Sequence, residues 1–128
     1  MRLIARFEVA GFDQPDVDRL DADWVDVLVF TKTFTVGITG SATTLFQSAG
    51  AEGNRSYVAT ERITGRLADE SGGEGSITVQ HGGLESDPAT WFGHIVPGTG
   101  TGSFAGWSGA ARIQHDDDGA YFEFDLTS

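Results

Sequence analysis

Along most of this chain, apolar and polar residues alternate one by one in short runs that end at glycine. A period of two puts successive side chains on opposite sides of an extended strand, so the pattern commits the chain to β-structure. The runs are rich in Val, Ile, Thr, Phe and Tyr, which suit a pleated, half-buried surface. The 18 glycines, against 3 prolines, supply the turns between them. Strands are expected at 2–9, 25–38, 41–48, 56–67, 75–82, 90–96, 102–105, 110–115 and 119–126, with 25–38 bending or bulging at Gly37. No stretch carries a helical period. Residues 14–23 (QPDVDRLDAD), with Pro15 and four aspartates, read as a loop or a single helical turn. The expected fold is all-β: a closed antiparallel barrel with little or no helix.

The 128 residues fit one domain, 1–128, that can bury a core without staples. With no cysteine there is no disulfide framework, thiol nucleophile or thiolate-held metal. A net charge of -11 repels phosphate backbones and anionic headgroups, which argues against nucleic-acid or membrane-surface partners. The first residues, MRLIARFEVAG, alternate and lack the apolar core of a signal peptide, so the expected location is cytoplasmic.

The alternation also assigns faces, since one side of a barrel strand fills the lumen and the other meets solvent. Leu3, Ala5, Phe7 and Val9 form one apolar column, and Phe122, Phe124 and Leu126 form another. Lys32 interrupts the column Leu28, Phe30, Phe34, Val36, Ile38. Glu61 interrupts Tyr57, Ala59, Ile63, Leu67, and His81 ends Ile77, Val79. Phe92 and Val96 flank His94, although Trp91 and Ile95 leave the facing of that strand open. A charge in an apolar column is costly unless paired or neutralised. Lys32, Glu61 and His81 are therefore the candidate catalytic residues: a coupled Lys–Glu pair with a histidine able to act as general acid or base. The plainer reading is a buried ion pair that fixes strand register. Phe30, Phe34, Tyr57, Phe92, His94, Phe122 and Phe124 are candidate ligand-binding residues, or else they pack the lumen solid.

Other chemistry finds little support. The three histidines share no ligand spacing, and HDDD (115–118) precedes Gly119 as an ordinary solvated turn, so no metal is expected. The glycine-rich turn 97–103 (PGTGTGS) lacks the Gly-Lys-Ser/Thr and following helix of a phosphate loop. The stretch 69–75 (DESGGEG) reads as a hairpin loop. No cofactor is called for.

The runs TKTFTVGITGSA (31–42), YVATERITGRL (57–67), GSITVQHGG (75–83), VPGTGTGSFAGWSG (96–109) and GAYFEFDL (119–126) resemble a bacterial family classed as domain of unknown function 3224. Glu61-Arg62, Gln80-His81 and the Pro-Gly-Thr-Gly-Thr-Gly turn are the most specific parts. The resemblance implies about eight strands in an allene-oxide-cyclase-like barrel. It carries no reaction. Proteins of that barrel shape bind an apolar or polyketide-like substrate and steer its cyclisation, so one expectation is a small-molecule barrel with isomerase or cyclase activity. The alternative is a non-catalytic binding or interaction module. Either is compatible with a monomer or a homodimer. Trp107 and the loose segment 68–75 depart from the family pattern, and 13–23 has no counterpart in it.

Overall fold

The computed structural model describes residues 1–16, 22–69 and 71–127. Half of the expected 14–23 loop, residues 17–21, lies outside the described residues. Eight strands run in order: β1 Arg2–Asp13, β2 Asp26–Val36, β3 Ile38–Ala49, β4 Ser56–Leu67, β5 Gly75–Leu84, β6 Asp87–Ile95, β7 Gly109–Asp116 and β8 Gly119–Leu126. Each pairs antiparallel with the next, and β8 returns to β1 through Leu3↔Phe124 and Ala5↔Phe122, closing the barrel. Pairing therefore runs right round the sheet, although β6 and β7 share only the pair His94↔Ala110. No helix among the described residues is long and apolar enough to cross a membrane.

Three expectations change. The run 25–38 is not one bent strand, because Gly37 is the turn between β2 and β3, and β3 starts at Ile38. Gly37 has φ +77°, and a Cβ there would lie 2.0 Å from the Ile4 carbonyl oxygen, so the turn admits only glycine. The run 102–105 is not a strand. Gly102–Phe104 is a 3-10 turn within an excursion over 96–108. That excursion folds back on β5: the Thr101 amide donates to the Ser76 carbonyl, and Thr99 Oγ1 accepts from the Thr78 amide. Finally, β1 continues to Asp13 through register shifts at Arg6/Phe7 and Val9/Gly11, and Val9 is 55% exposed rather than buried. Val36, at the turn, is also exposed.

The lower half of the lumen is packed with rings. Phe7 lies 5.4 Å from both Phe34 and Phe122, and Phe122 lies 5.4 Å from Phe124. Ile38, Ile63, Ile77, Val79 and Ile95 fill the spaces between them, all buried. The excursion plugs that end with Phe104 and Trp107, ring to ring at 5.0 Å, and Trp107 meets Phe124 at 5.5 Å. Each such ring pair contributes about 0.5–1.5 kcal/mol beyond its burial. The aromatic inventory of the lower lumen is thus packing.

The glycine turn gives a direct test. Gly73 shares the left-handed conformation (φ +73°) but has nothing within 4 Å of a added Cβ. Gly73→Ala should therefore cost only the backbone penalty, about 1–2 kcal/mol. Gly37→Ala adds a collision with backbone and should cost clearly more in urea denaturation. Equal losses would contradict the turn as described.

Candidate functional site

Above the packed rings the lumen turns polar. Lys32 on β2, Glu61 on β4 and His81 on β5 all point inward, at 4%, 0% and 4% exposure. Lys32 Nζ donates to Glu61 Oε1 at 2.8 Å, and His81 Nε2 meets the same oxygen at 3.2 Å. On the far side of the imidazole, Tyr57 Oη lies 3.0 Å from His81 Nδ1. The four residues form one chain, Tyr57–His81–Glu61–Lys32. The ammonium also sits 4.3 Å from the Phe7 ring centre and 5.3 Å from that of Phe122, which stabilises its charge on the apolar side.

Proton positions follow from the chain. Burial by itself pushes the Glu61 carboxyl up, but the His81 hydrogen bond and the Lys32 charge outweigh it and hold the group below the ordinary carboxylate range. Glu61 is therefore an acceptor, which makes His81 Nε2 the donor. In the neutral imidazole, Nδ1 then accepts the Tyr57 O–H. Burial, and then the Glu61 charge, push the Tyr57 phenol up, so it keeps that proton. Three buried side-chain atoms have no hydrogen-bond partner among the described residues: Ser103 Oγ in the excursion, and, in this part of the lumen, Glu61 Oε2 and Oγ1 of Thr44, the cross-strand neighbour of Glu61.

The barrel wall opens beside this chain. Strands β6 and β7 share a single register pair, His94↔Ala110. Just above it they still touch, since a Cβ on Gly93 would lie 1.9 Å from the Ala111 carbonyl oxygen. Higher up they part. Pro88, which has no amide hydrogen to pair, lies in that upper part of β6. The result is a cleft of about 190 Å³ between Trp91 and Phe92 on one side and Arg112, Ile113 and Gln114 on the other. Tyr57 and His81 lie at its inner end. A molecule in the cleft meets the Tyr57–His81 end of the chain, while Glu61 stays fully enclosed.

The expected site residues separate into groups. Lys32, Glu61, His81 and Tyr57 are brought together. Phe34, Phe122 and Phe124 belong to the packed core. Phe30 stands at the upper mouth, edge-on to Phe46 at 5.2 Å, and Phe46 stacks on Tyr57 at 5.1 Å. The facing left open around His94 is resolved: Ile95 is the inward residue, at 2% exposure, while His94 lies on the outer wall, stacked on Phe92 at 6.2 Å. Phe92, 44% exposed, reaches the cleft from outside. Sequence reasoning missed Thr44, Trp91, Arg112 and Gln114. Pro88 was the available signal, since a proline in a strand marks a place where pairing fails. Among the described residues no cluster of His, Asp and Glu could hold a metal ion.

Fold and site together define a closed eight-stranded antiparallel barrel with one buried carboxylate in an otherwise aromatic lumen. Residues 3–127 match the proteins of unknown function grouped as DUF3224, and the chain belongs to that family. Its shape is similar to the crystal structure of a protein of unknown function from the same family in Shewanella oneidensis MR-1. The two are 22% identical with a TM-score of 0.75, over 98% of this chain and 95% of that one. No curated protein matches.

Breaking the ion pair from one side leaves a buried charge. Lys32→Met should cost about 3–5 kcal/mol, and Lys32→Met with Glu61→Leu should recover most of it. Denaturant titration of both variants checks this, and a double variant no better than the single would refute it. The pH dependence has a definite sign. The folded state lowers the Glu61 pKa, so its contribution is complete above the unfolded value near about 4.3 and disappears as pH falls through the lower folded value. Glu61→Gln should therefore flatten the acid side of the stability profile, measured by near-ultraviolet circular dichroism.

Proposed function

We propose that the protein binds a small molecule in the β6–β7 cleft and acts on it by general acid catalysis through Tyr57. One observation carries this reading: a continuous hydrogen-bonded chain whose Tyr57–His81 end, and not its charged end, meets the cleft. The Tyr57 O–H turns from His81 Nδ1 to donate to a carbonyl oxygen in the cleft. As the α-hydrogen of that carbonyl compound leaves to solvent as a proton, the oxygen gains negative charge and takes the Tyr57 proton, giving the enol. Solvent in the cleft returns a proton to the Tyr57 oxygen, and His81 Nδ1, its tautomer fixed by the Glu61 carboxylate that Lys32 holds anionic, takes back the O–H hydrogen bond. The reaction class is enolisation, and hence isomerisation.

The space favours a small substrate. Sites for drug-sized ligands occupy about 300–1,000 Å³, and this cleft has about 190 Å³. A molecule of one ring fits better than the polyketide-like chain expected from the barrel resemblance, and the filled lower lumen offers no room for a long one.

Exchange of the methyl hydrogens of acetophenone in deuterium oxide, followed by proton NMR, tests the proposal. The protein should accelerate exchange over buffer, and Tyr57→Phe should remove at least tenfold of that acceleration, consistent with the share of general acids in catalysis. Exchange no faster than buffer would end the catalytic reading. Binding without exchange would favour the non-catalytic module instead.

A further inference from the structure

We infer that Arg112 makes the cleft specific for a carboxylate, so that the ligand is a single-ring carboxylic acid with its reacting oxygen at the end away from the acid group. This deepens the reading of the cleft as a small-molecule site and rests on it.

Charge carries the inference. The chain has 19 acidic residues and a net charge of -11, so an anion is repelled over most of its surface. Most described arginines are already neutralised. Arg2 pairs with Glu123, Arg6 with Asp116, Arg55 with Asp26 and Arg66 with Glu74. Arg62 donates to the Ser76 hydroxyl. Arg112 has no ion pair among the described residues, although Glu123 is its cross-strand partner in the β7–β8 register. That carboxylate is held by Arg2 at 2.8 Å. An exposed, unneutralised guanidinium thus lines the cleft.

The other lining residues complete the match. Trp91 and Phe92 offer flat apolar walls, and Gln114 adds an amide beside the guanidinium. The Trp91 indole N–H donates to the Leu84 carbonyl at 2.5 Å, which fixes the ring before any ligand arrives. Arg112 and Gln114 are outward members of β7, alternating with the fully buried Ala111, whereas Tyr57 and His81 lie on the lumen side. A ligand spanning the wall therefore meets a cation outside and a phenol inside. Guanidinium binds carboxylate through two parallel N–H···O bonds, and this geometry distinguishes an acid from its neutral amide.

Benzoate and benzamide, alike in shape and different in charge, are the probes. Each is titrated into nitrogen-15-labelled protein and followed by amide and indole shifts. Benzoate should move Gly82, the Trp91 indole, Phe92 and Arg112, should weaken as salt is added, and should bind at least tenfold more tightly than benzamide. Arg112→Gln should lose at least tenfold in benzoate affinity and nothing for benzamide, and Arg112→Lys should fall between. Arg112 is exposed, so these variants should fold, and a well-dispersed spectrum verifies it. Equal binding of the two probes, unchanged benzoate affinity in Arg112→Gln, or shifts confined to residues away from the cleft lining would each overturn the assignment. Failure here is separable from failure of the catalytic reading. Benzoate affinity in Arg112→Gln reports on the guanidinium without the exchange reaction, and acetophenone, which carries no carboxylate, reports on Tyr57 without Arg112.

Discussion

The carboxylate of Glu61 is the constraint around which the barrel is arranged. It is fully enclosed, next to aromatic rings, and it is ionised. Such a charge survives only with partners in fixed positions. Those partners come from two other strands, β2 and β5, and a fourth residue, Tyr57, comes from β4 itself. Because side chains alternate with a period of two, slipping any of these strands by one residue would send its partner to the solvent face. The pair therefore specifies register as well as charge. The gain is in uniqueness more than in stability, since a well-packed apolar substitute for a buried ion pair is often as stable.

The charge also divides the lumen into two regimes. Below it, Phe7, Phe34, Phe122 and Phe124 pack ring against ring and Phe104 with Trp107 closes the end. Lys32 sits at the boundary, its ammonium against two of those rings and its hydrogen bond on Glu61. Above it, hydrogen-bonding groups lead through His81 to Tyr57 and the mouth. The filled lower half holds the chain of four in place, and the upper half decides what can reach it. Of the four, only the phenol and the imidazole line the cleft, and Glu61 and Lys32 stay enclosed behind them.

Much of this was legible in the alternation. Lys32, Glu61 and His81 stood out because they broke apolar columns, and the chain brings all three together. The glycine-punctuated strands were likewise readable there, whereas the count of eight and the closure came with the family resemblance. What failed did so where alternation fails. Val9 keeps the register of Phe7 yet is exposed, because alternation fixes a face and not a depth in the barrel. Gly37 turns β2 into β3 without changing which parity faces inward, so one long strand and a hairpin carry the same pattern. On β6 the run Trp91–Phe92 offered two aromatic faces, and the choice between them depended on Gly93, whose missing Cβ admits the Ala111 carbonyl. Phe104 looked like a strand residue because a buried aromatic in a plug has the same local signal as one in a sheet. Arg112 gave no signal, since an arginine on an outward column is unremarkable until its neighbours are known to be taken.

The opening at β6–β7 follows from a conflict between closure and access. A barrel closed by backbone hydrogen bonds at every seam would isolate the Tyr57–His81 end from any ligand. Parting one seam exposes unpaired backbone, which costs free energy and invites another chain to add a strand. Side chains of β6 also satisfy backbone groups at the adjoining β5–β6 hairpin. Thr90 Oγ1 accepts from the Leu84 amide and donates to the Asp87 carbonyl, and the Trp91 indole serves the Leu84 carbonyl. On β7 the exposed cation of Arg112 makes the parted edge unattractive to a neighbouring strand. The residues that make an open seam tolerable are also those that line the cleft, so one short stretch of wall carries both the weakness of the barrel and its route to the buried charge.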